Sequence, residues 1–179
     1  MLRQVVHLLT SQCGAAAFTV LAAASALLCA TPADAAVPTP PLPPGAPAWA
    51  LTPAQLMSEV VTMTNQRRAA NGCGTLAVDR DLTAASVRQS WYMARTGLFT
   101  HIWRDGSTFV TRSRAAGYRQ PSGENIAWGY RTAAEVMAAW MASPSHRENI
   151  LNCGAHSIGT GVVYGANGVP YYTQVFGWR

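Results

Sequence analysis

Three side chains suited to metal binding or acid–base chemistry stand in short polar segments of this sequence. Glu124 lies in the segment 122–127, His146 lies in the segment 143–151, and His101 lies upstream of both. Two imidazoles and one carboxylate are a donor set that suits zinc and leaves one position open to water. No two of them are as close as a His-x-x-x-His pair. A hydrogen-bonded polar cluster that locks the segments together is therefore the alternative interpretation.

Residues next to these three side chains are candidates for support of the same site. Asn125 follows Glu124, and we expect it to tie backbone segments together, since asparagine commonly bonds to main-chain groups. Trp103 and Trp128 stand near His101 and Glu124 in sequence and could form an apolar wall for a lipid, a sterol or a sugar ring. The alternative is that the two tryptophans pack against each other and against a hairpin.

Two further polar groups are explained by helix capping. Glu135 follows Thr132 at capping-box spacing, and the segment 145–148 predicts another capping box that opens a short last helix. Ser143 or Ser145 beside His146 could suggest a serine nucleophile. Neighbours in sequence are rarely a catalytic pair, however, and both serines are suited to helix caps.

The hydrophobic pattern predicts helices first and strands last, which is typical of an α+β domain with an antiparallel sheet. Strand-type segments flank the turn 165–168, which has the composition of a hairpin turn. The predicted helices cover 52–71, 81–96, 108–116 and 132–142, with a short one from 145, and the predicted strands cover 124–128, 157–164 and 169–178.

These segments, in this order and spacing, resemble the bacterial secreted branch of the CAP superfamily (cysteine-rich secretory proteins, antigen 5, pathogenesis-related 1). The resemblance covers nearly all of 51–179 and implies a three-layer α-β-α sandwich with a central antiparallel sheet. It places His101, Glu124 and His146 in a central cleft. The family's second cleft glutamate falls at Ser143, so this chain lacks one negative ligand of the family's set of two histidines and two glutamates.

The N-terminal region predicts export. Residues 1–35 have a positive start, a short apolar run and a small-x-small cleavage site, which is the layout of a secretory signal peptide. The apolar run is short for a membrane span of about 20 residues, although a retained anchor is the alternative. Residues 36–50 are rich in proline and predict a semi-rigid linker, and 51–179 then form one CAP domain.

Cysteine usage predicts one disulfide. Cys13 and Cys29 lie in the predicted signal peptide, which leaves Cys73 and Cys153 in the mature chain. In an exported protein an even number of cysteines is expected to form disulfides. A bond between these two would close a loop of about 80 residues and contribute about 4 kcal/mol to the free energy of unfolding. Two free thiols or a metal-binding pair are the alternatives, and the spacing does not resemble a Cys-x-x-Cys site.

The charge pattern bears on the class of partner. All 13 basic residues are arginine, and the net charge is +5. The arginines are scattered, which argues against nucleic-acid binding and allows attraction to an anionic cell envelope. From the family resemblance, the export signal, the incomplete acidic set and the nearby tryptophans we predict a secreted, monomeric, non-enzymatic module that binds a lipid, glycan or protein ligand. We predict no transmembrane segment in the mature chain, and no cofactor is assigned to this module. The alternative is a metal-assisted hydrolase that uses zinc or another divalent cation on His101, Glu124 and His146. A purely structural envelope protein is a third hypothesis.

Overall fold

The computed structural model describes residues 41, 42, 44 and 50–179. They belong to a compact unit, Ala36–Arg179, which contains the core and the hydrogen bonds discussed below. The predicted signal peptide and most of the predicted linker lie outside the described residues, so both stay predictions. None of the described helices is long and apolar enough to cross a membrane.

The described residues form five helices and four strands. These elements are α1 Pro53–Ala69, β1 Ala77–Val78, α2 Arg80–Thr96, α3 Phe109–Ala116, β2 Pro121–Trp128, α4 Ala133–Ala142, α5 Pro144–Ile150, β3 Ser157–Tyr164 and β4 Pro170–Gly177. Capping boxes at Thr52, Thr108 and Thr132 open α1, α3 and α4. The side chain of Asp79 caps α2, which ends at Gly97 in the left-handed conformation that favours glycine.

The predicted capping box at Ser145 is wrong. Helix α5 begins at Pro144, its N-cap is Ser143, and no side chain caps it. Ser143 is also the residue that ends α4, in an extended conformation. The following proline suits the first helical position because its backbone angle is already helical and it has no N–H to satisfy. Ser145 therefore lies inside the first turn.

The three long strands form the antiparallel sheet that the sequence pattern predicted. The order is β1-β3-β4-β2, and β4 pairs with β3 on one side and with β2 on the other. Glu124 of β2 lies opposite Val175 of β4, and the pairing is irregular between Pro121 and Gly123. The short strand β1 pairs in parallel with β3, so the sheet is mixed at that edge.

Helices cover both faces of this sheet, which gives the α-β-α sandwich that the family resemblance implied. Helices α1, α4 and α5 pack on one face, over the largest apolar cluster, which includes Trp140, Phe176 and Tyr172. Helices α2 and α3 pack on the other face, over smaller clusters around Leu82 and Met93.

Helix α2 approaches β3 closely because two glycines face it. A Cβ atom at Gly159 would overlap the backbone at Leu82, and one at Gly161 would overlap the backbone at Ser86. Because the two elements are so close, two serine hydroxyls of α2 donate hydrogen bonds to backbone carbonyls of β3. Ser86 donates to the carbonyl of Gly159 at 3.0 Å, and Ser90 donates to that of Gly161 at 2.9 Å.

A disulfide and a buried arginine hold the segment between α5 and β3. The disulfide joins Cys73 to Cys153, as predicted, with 4.8 Å between the Cα atoms. The guanidinium of Arg68 donates to the carbonyls of Ile150, Asn152 and Ala155 at 2.7–2.9 Å. Burial lowers the pKa of Arg68 from its usual value, and these carbonyls provide its hydrogen bonds in place of water.

Candidate functional site

Glu124 is the buried centre of the candidate site. Strand β2 places it on the face that α3 covers, and only 1% of its side chain is exposed. Its Oε1 lies 2.9 Å from His101 Nδ1, and its Oε2 accepts a hydrogen bond from Arg112 Nη2 at 2.8 Å. Both carboxylate oxygens are therefore engaged within the protein, in the charge-assisted geometry that gives short, strong bonds.

Arg112 of α3 is the residue that organises this centre, and its role was not predicted from the sequence. The side chain is buried, and its Nη1 donates to the carbonyls of His101 at 3.1 Å and Ser107 at 2.8 Å. Its guanidinium also lies 5.3 Å from the ring centroid of Trp103. The only signal in the sequence is indirect, since a buried glutamate requires a cation and an arginine in a short helix is a possible source.

His101 connects the buried pair to solvent. Its side chain is 49% exposed, and Nδ1 faces the Glu124 carboxylate. Because a carboxylate only accepts hydrogen bonds, Nδ1 carries the proton, which makes Nε2 the ring nitrogen that a ligand can reach.

Two asparagines tie the other side of the site to the sheet. Asn125 is fully buried and donates from Nδ2 to the carbonyl of His146 at 3.1 Å and to Gln174 Oε1 at 3.2 Å. Asn149 of α5 donates to Asn125 Oδ1 at 2.9 Å and to the carbonyl of Glu124 at 3.3 Å. No role was predicted for Asn149 from the sequence, although it lies within the segment that carries His146.

His146 lies on α5, close enough to His101 for their charges to interact. Desolvation lowers the pKa of His146 below its usual value, and the positive charge of His101 lowers it further. In the described part of the chain, however, no three His, Cys, Asp or Glu side chains are grouped so that they could hold a metal ion. Ser143 stands where the family's second glutamate would be, and its hydroxyl lies 3.5 Å from that of Ser145. His101, Glu124 and His146 are therefore not grouped as a three-ligand metal centre in the described part of the chain.

A cleft of about 430 Å³ opens beside Glu124. It combines the apolar side chains of Ile102 and Phe109 with polar groups from β2 and α5. Its lining residues are His101, Ile102, Thr108, Phe109, Ser122, Gly123, Glu124 and Asn149. A Cβ atom at Gly123 would overlap the Asn149 amide, so glycine is what allows α5 to approach β2 here.

The two tryptophans expected as a cleft wall are placed apart from this lining. Trp103 stacks on Tyr92 at 4.9 Å and donates from Nε1 to Gln89 Oε1 at 2.6 Å. Trp128 stacks on Tyr171 at 6.3 Å, at the end of β2. Neither is among the residues that line the cleft, whose apolar wall comes from Ile102 and Phe109 instead.

Comparison with known proteins finds similar chains in bacteria. The uncharacterized protein YkwD of Bacillus subtilis is 38% identical over 107 residues, which are 59% of this chain and 41% of YkwD. An extracellular protein containing an SCP domain from Bacillus anthracis is 26% identical, with a TM-score of 0.65 over 71% of this chain and 41% of that one. An outer surface protein of Borrelia burgdorferi shares the fold, with 22% identity, a TM-score of 0.63, and coverage of 69% of this chain and 92% of that one.

The match to curated relatives is partial in length. The chain spans 41% of YkwD and 33% of a second Bacillus subtilis relative, the uncharacterized membrane protein YlbC. The family match is broader, because the sequence profile of the cysteine-rich secretory protein family covers residues 61–176. With more than half of its length matched, this chain belongs to the cysteine-rich secretory protein (CAP) family.

Proposed function

We propose that this chain is a non-enzymatic binding module that acts outside the cell and holds its ligand in the cleft beside Glu124. The extracellular location is supported by the predicted signal peptide and by the Bacillus anthracis relative, which is described as extracellular. The ligand classes predicted from the sequence are a lipid, a glycan or a protein.

The observation that carries this proposal is the engagement of both Glu124 oxygens. A general base or a metal ligand has to present a lone pair that its substrate or ion can reach. Although each Glu124 oxygen keeps a further lone pair, both already accept hydrogen bonds, from Arg112 and from His101, and only 1% of the side chain is exposed. The metal-assisted hydrolase is therefore the less favoured alternative.

The cleft lining favours a glycan over the other ligand classes. Sugar rings present apolar faces as well as hydroxyls, so they suit a site that pairs apolar side chains with a few polar groups. Ile102 and Phe109 supply the apolar surface, and Ser122, Asn149 and His101 supply hydrogen-bonding groups. A long acyl chain would instead need a more uniformly apolar channel.

The proposal is tested by amide chemical-shift mapping on residues 36–179. The probe is the N-acetylglucosamine–N-acetylmuramic acid disaccharide of bacterial cell walls. We expect saturable shifts at Gly123, Glu124 and Asn149, and weaker binding by Ile102→Ser, which adds a hydroxyl to the cleft wall. The matched control is Val78→Ser, at an exposed position outside the cleft lining. Shifts confined to other surfaces would contradict the assignment of the cleft.

Calorimetric titration with zinc tests the alternative on the same protein. We expect no tight one-to-one binding, because the described His and Glu side chains do not form a three-ligand group. Tight binding that disappears in the His101→Ala, His146→Ala double variant would favour the metal-assisted hydrolase instead.

A further inference from the structure

Positive charge and exposed apolar side chains coincide in one segment of the chain. Residues 88–104 contain three arginines and no aspartate or glutamate. In the same segment Trp91, Phe99 and Ile102 are 50%, 50% and 54% exposed. They are three of the six large apolar side chains that the described residues leave exposed, so apolar exposure is concentrated here.

Part of this surface is one face of α2. Arg88, Trp91 and Arg95 are three and four residues apart, so they lie along one side of the helix, and all three are exposed. The guanidinium of Arg95 lies 5.3 Å from the ring centroid of Trp91. The indole therefore has a cation on its own helix face and remains half exposed.

The rest of this surface is the loop after α2, which is fixed against the helix. Gln89 of α2 donates to the carbonyl of Thr100 and accepts from Trp103 Nε1, both at 2.6 Å. Tyr92 stacks on Trp103, and its hydroxyl accepts from the backbone N–H of Arg104 at 3.0 Å. These bonds hold the loop that carries Phe99 and Ile102 against α2 without using any of the exposed side chains.

We propose that this arginine–aromatic patch docks the protein on an anionic lipid bilayer. The patch consists of Arg88, Trp91, Arg95, Phe99, Ile102 and Arg104. Arginines near an anionic membrane surface each add about 1 kcal/mol of attraction, and aromatic side chains favour the boundary between headgroups and acyl chains. The nearest acid in sequence is Asp105, which follows the patch.

A bilayer explains both halves of the patch. A hydrophilic polyanion, such as a wall polymer with phosphate groups, would neutralise the arginines but leave Trp91, Phe99 and Ile102 in water. A bilayer provides negative headgroups and an apolar layer beneath them. Ile102 also lines the cleft, so docking through the patch would bring the mouth of the cleft to the membrane surface.

Vesicle sedimentation of residues 36–179 tests the proposal. The probes are vesicles of phosphatidylcholine alone and of phosphatidylcholine with an equal part of phosphatidylglycerol. We expect binding to the mixed vesicles only, weakened by salt. Arg88→Gln with Arg95→Gln should weaken vesicle binding about 25-fold, because each arginine contributes about fivefold. The matched control, Arg119→Gln with Arg131→Gln, removes the same charge from exposed positions outside the patch and should bind about as well as the wild type.

A second pair of variants separates a bilayer from a polyanion. Trp91→Ala with Phe99→Ala keeps every arginine and removes exposed apolar area, so it should lose most of the vesicle binding. Val78→Ala with Trp178→Ala changes two exposed apolar residues outside the patch and should not. Full vesicle binding by the Trp91, Phe99 variant, with displacement by soluble polyphosphate, would assign the patch to a polyanion and overturn the proposal. Absence of binding to the mixed vesicles would also overturn the proposal. Melting temperatures close to that of the wild type establish that each variant is folded.

Discussion

Arg112 holds the candidate site together from inside. Its side chain bonds to the Glu124 carboxylate and to the carbonyls of His101 and Ser107, so one buried cation links α3, β2 and the loop that precedes α3. Breaking a buried ion pair by removing one partner is costly, because the other charge remains buried without compensation.

We therefore expect Arg112→Met to lower the free energy of unfolding by about 3–5 kcal/mol, measured by urea denaturation. The matched control is Arg114→Met on the exposed side of the same helix, which should change it by about 0.5 kcal/mol or less. Adding Glu124→Gln to Arg112→Met should cost less than the sum of the single changes, because the two residues interact directly. Additive losses would mean that the pair is not coupled.

His146 gives the protein a pH dependence of known sign. Desolvation and the charge of His101 lower its folded pKa below the ordinary value of 6.5. The unfolded chain therefore binds the proton more readily than the folded chain does, and stability is lost as pH falls from neutral through the folded pKa. We expect the urea midpoint of the wild type to fall more steeply between about pH 7 and 5 than that of His146→Gln. His156→Gln, at an exposed histidine, should follow the wild type, and equal slopes in all three proteins would contradict this account.

The sequence could identify His101 and Glu124 but not the contacts that make them a site. Their segments are short and distinctive, and the structure brings Nδ1 and Oε1 to 2.9 Å. In the sequence, Arg112 cannot be distinguished from an exposed arginine on a helix. Its role depends on the packing of α3 against β2, which no local pattern reports.

At the scale of elements, the sequence predicted the structure correctly wherever the residues that determine it lie within one short segment. The capping boxes at Thr52 and Thr132 each lie within four consecutive residues, and both open helices as predicted. Strand β1 could not be predicted, because two residues show no alternation and its pairing with β3 depends on residues 80 positions away. The start of α5 was misplaced because Pro144 competes with the serine signal beside it.

The contact between α2 and β3 leads to an element-scale prediction. Gly161→Ala should lower the free energy of unfolding by about 1–3 kcal/mol, because the new methyl group would overlap the α2 backbone at Ser86. The matched control is Gly74→Ala, where a Cβ atom meets nothing within 4 Å. That substitution should be neutral or slightly stabilising. Similar losses for both, measured by thermal unfolding, would mean that the methyl overlap is not the cause.

At the scale of the whole molecule, the disulfide joins parts of the chain that are 80 residues apart. In the chain-entropy treatment a cross-link around such a loop contributes about 4 kcal/mol. Cys73→Ser should therefore lower the melting temperature markedly under oxidising conditions. Under reducing conditions the variant and the wild type should melt at nearly the same temperature. A comparable difference under both conditions would assign the loss to packing of the cysteine side chain.

The order of the strands has a consequence for biosynthesis. Strand β4 is the last strand in sequence, yet it lies between β3 and β2 and pairs with both. Until residues 170–177 have left the ribosome, β2 has no partner strand, and the sheet cannot be completed. Pairings between distant parts of a chain also form slowly. The complete sheet can therefore form only after residues 170–177 have been synthesised, which is compatible with the location outside the cell that we propose.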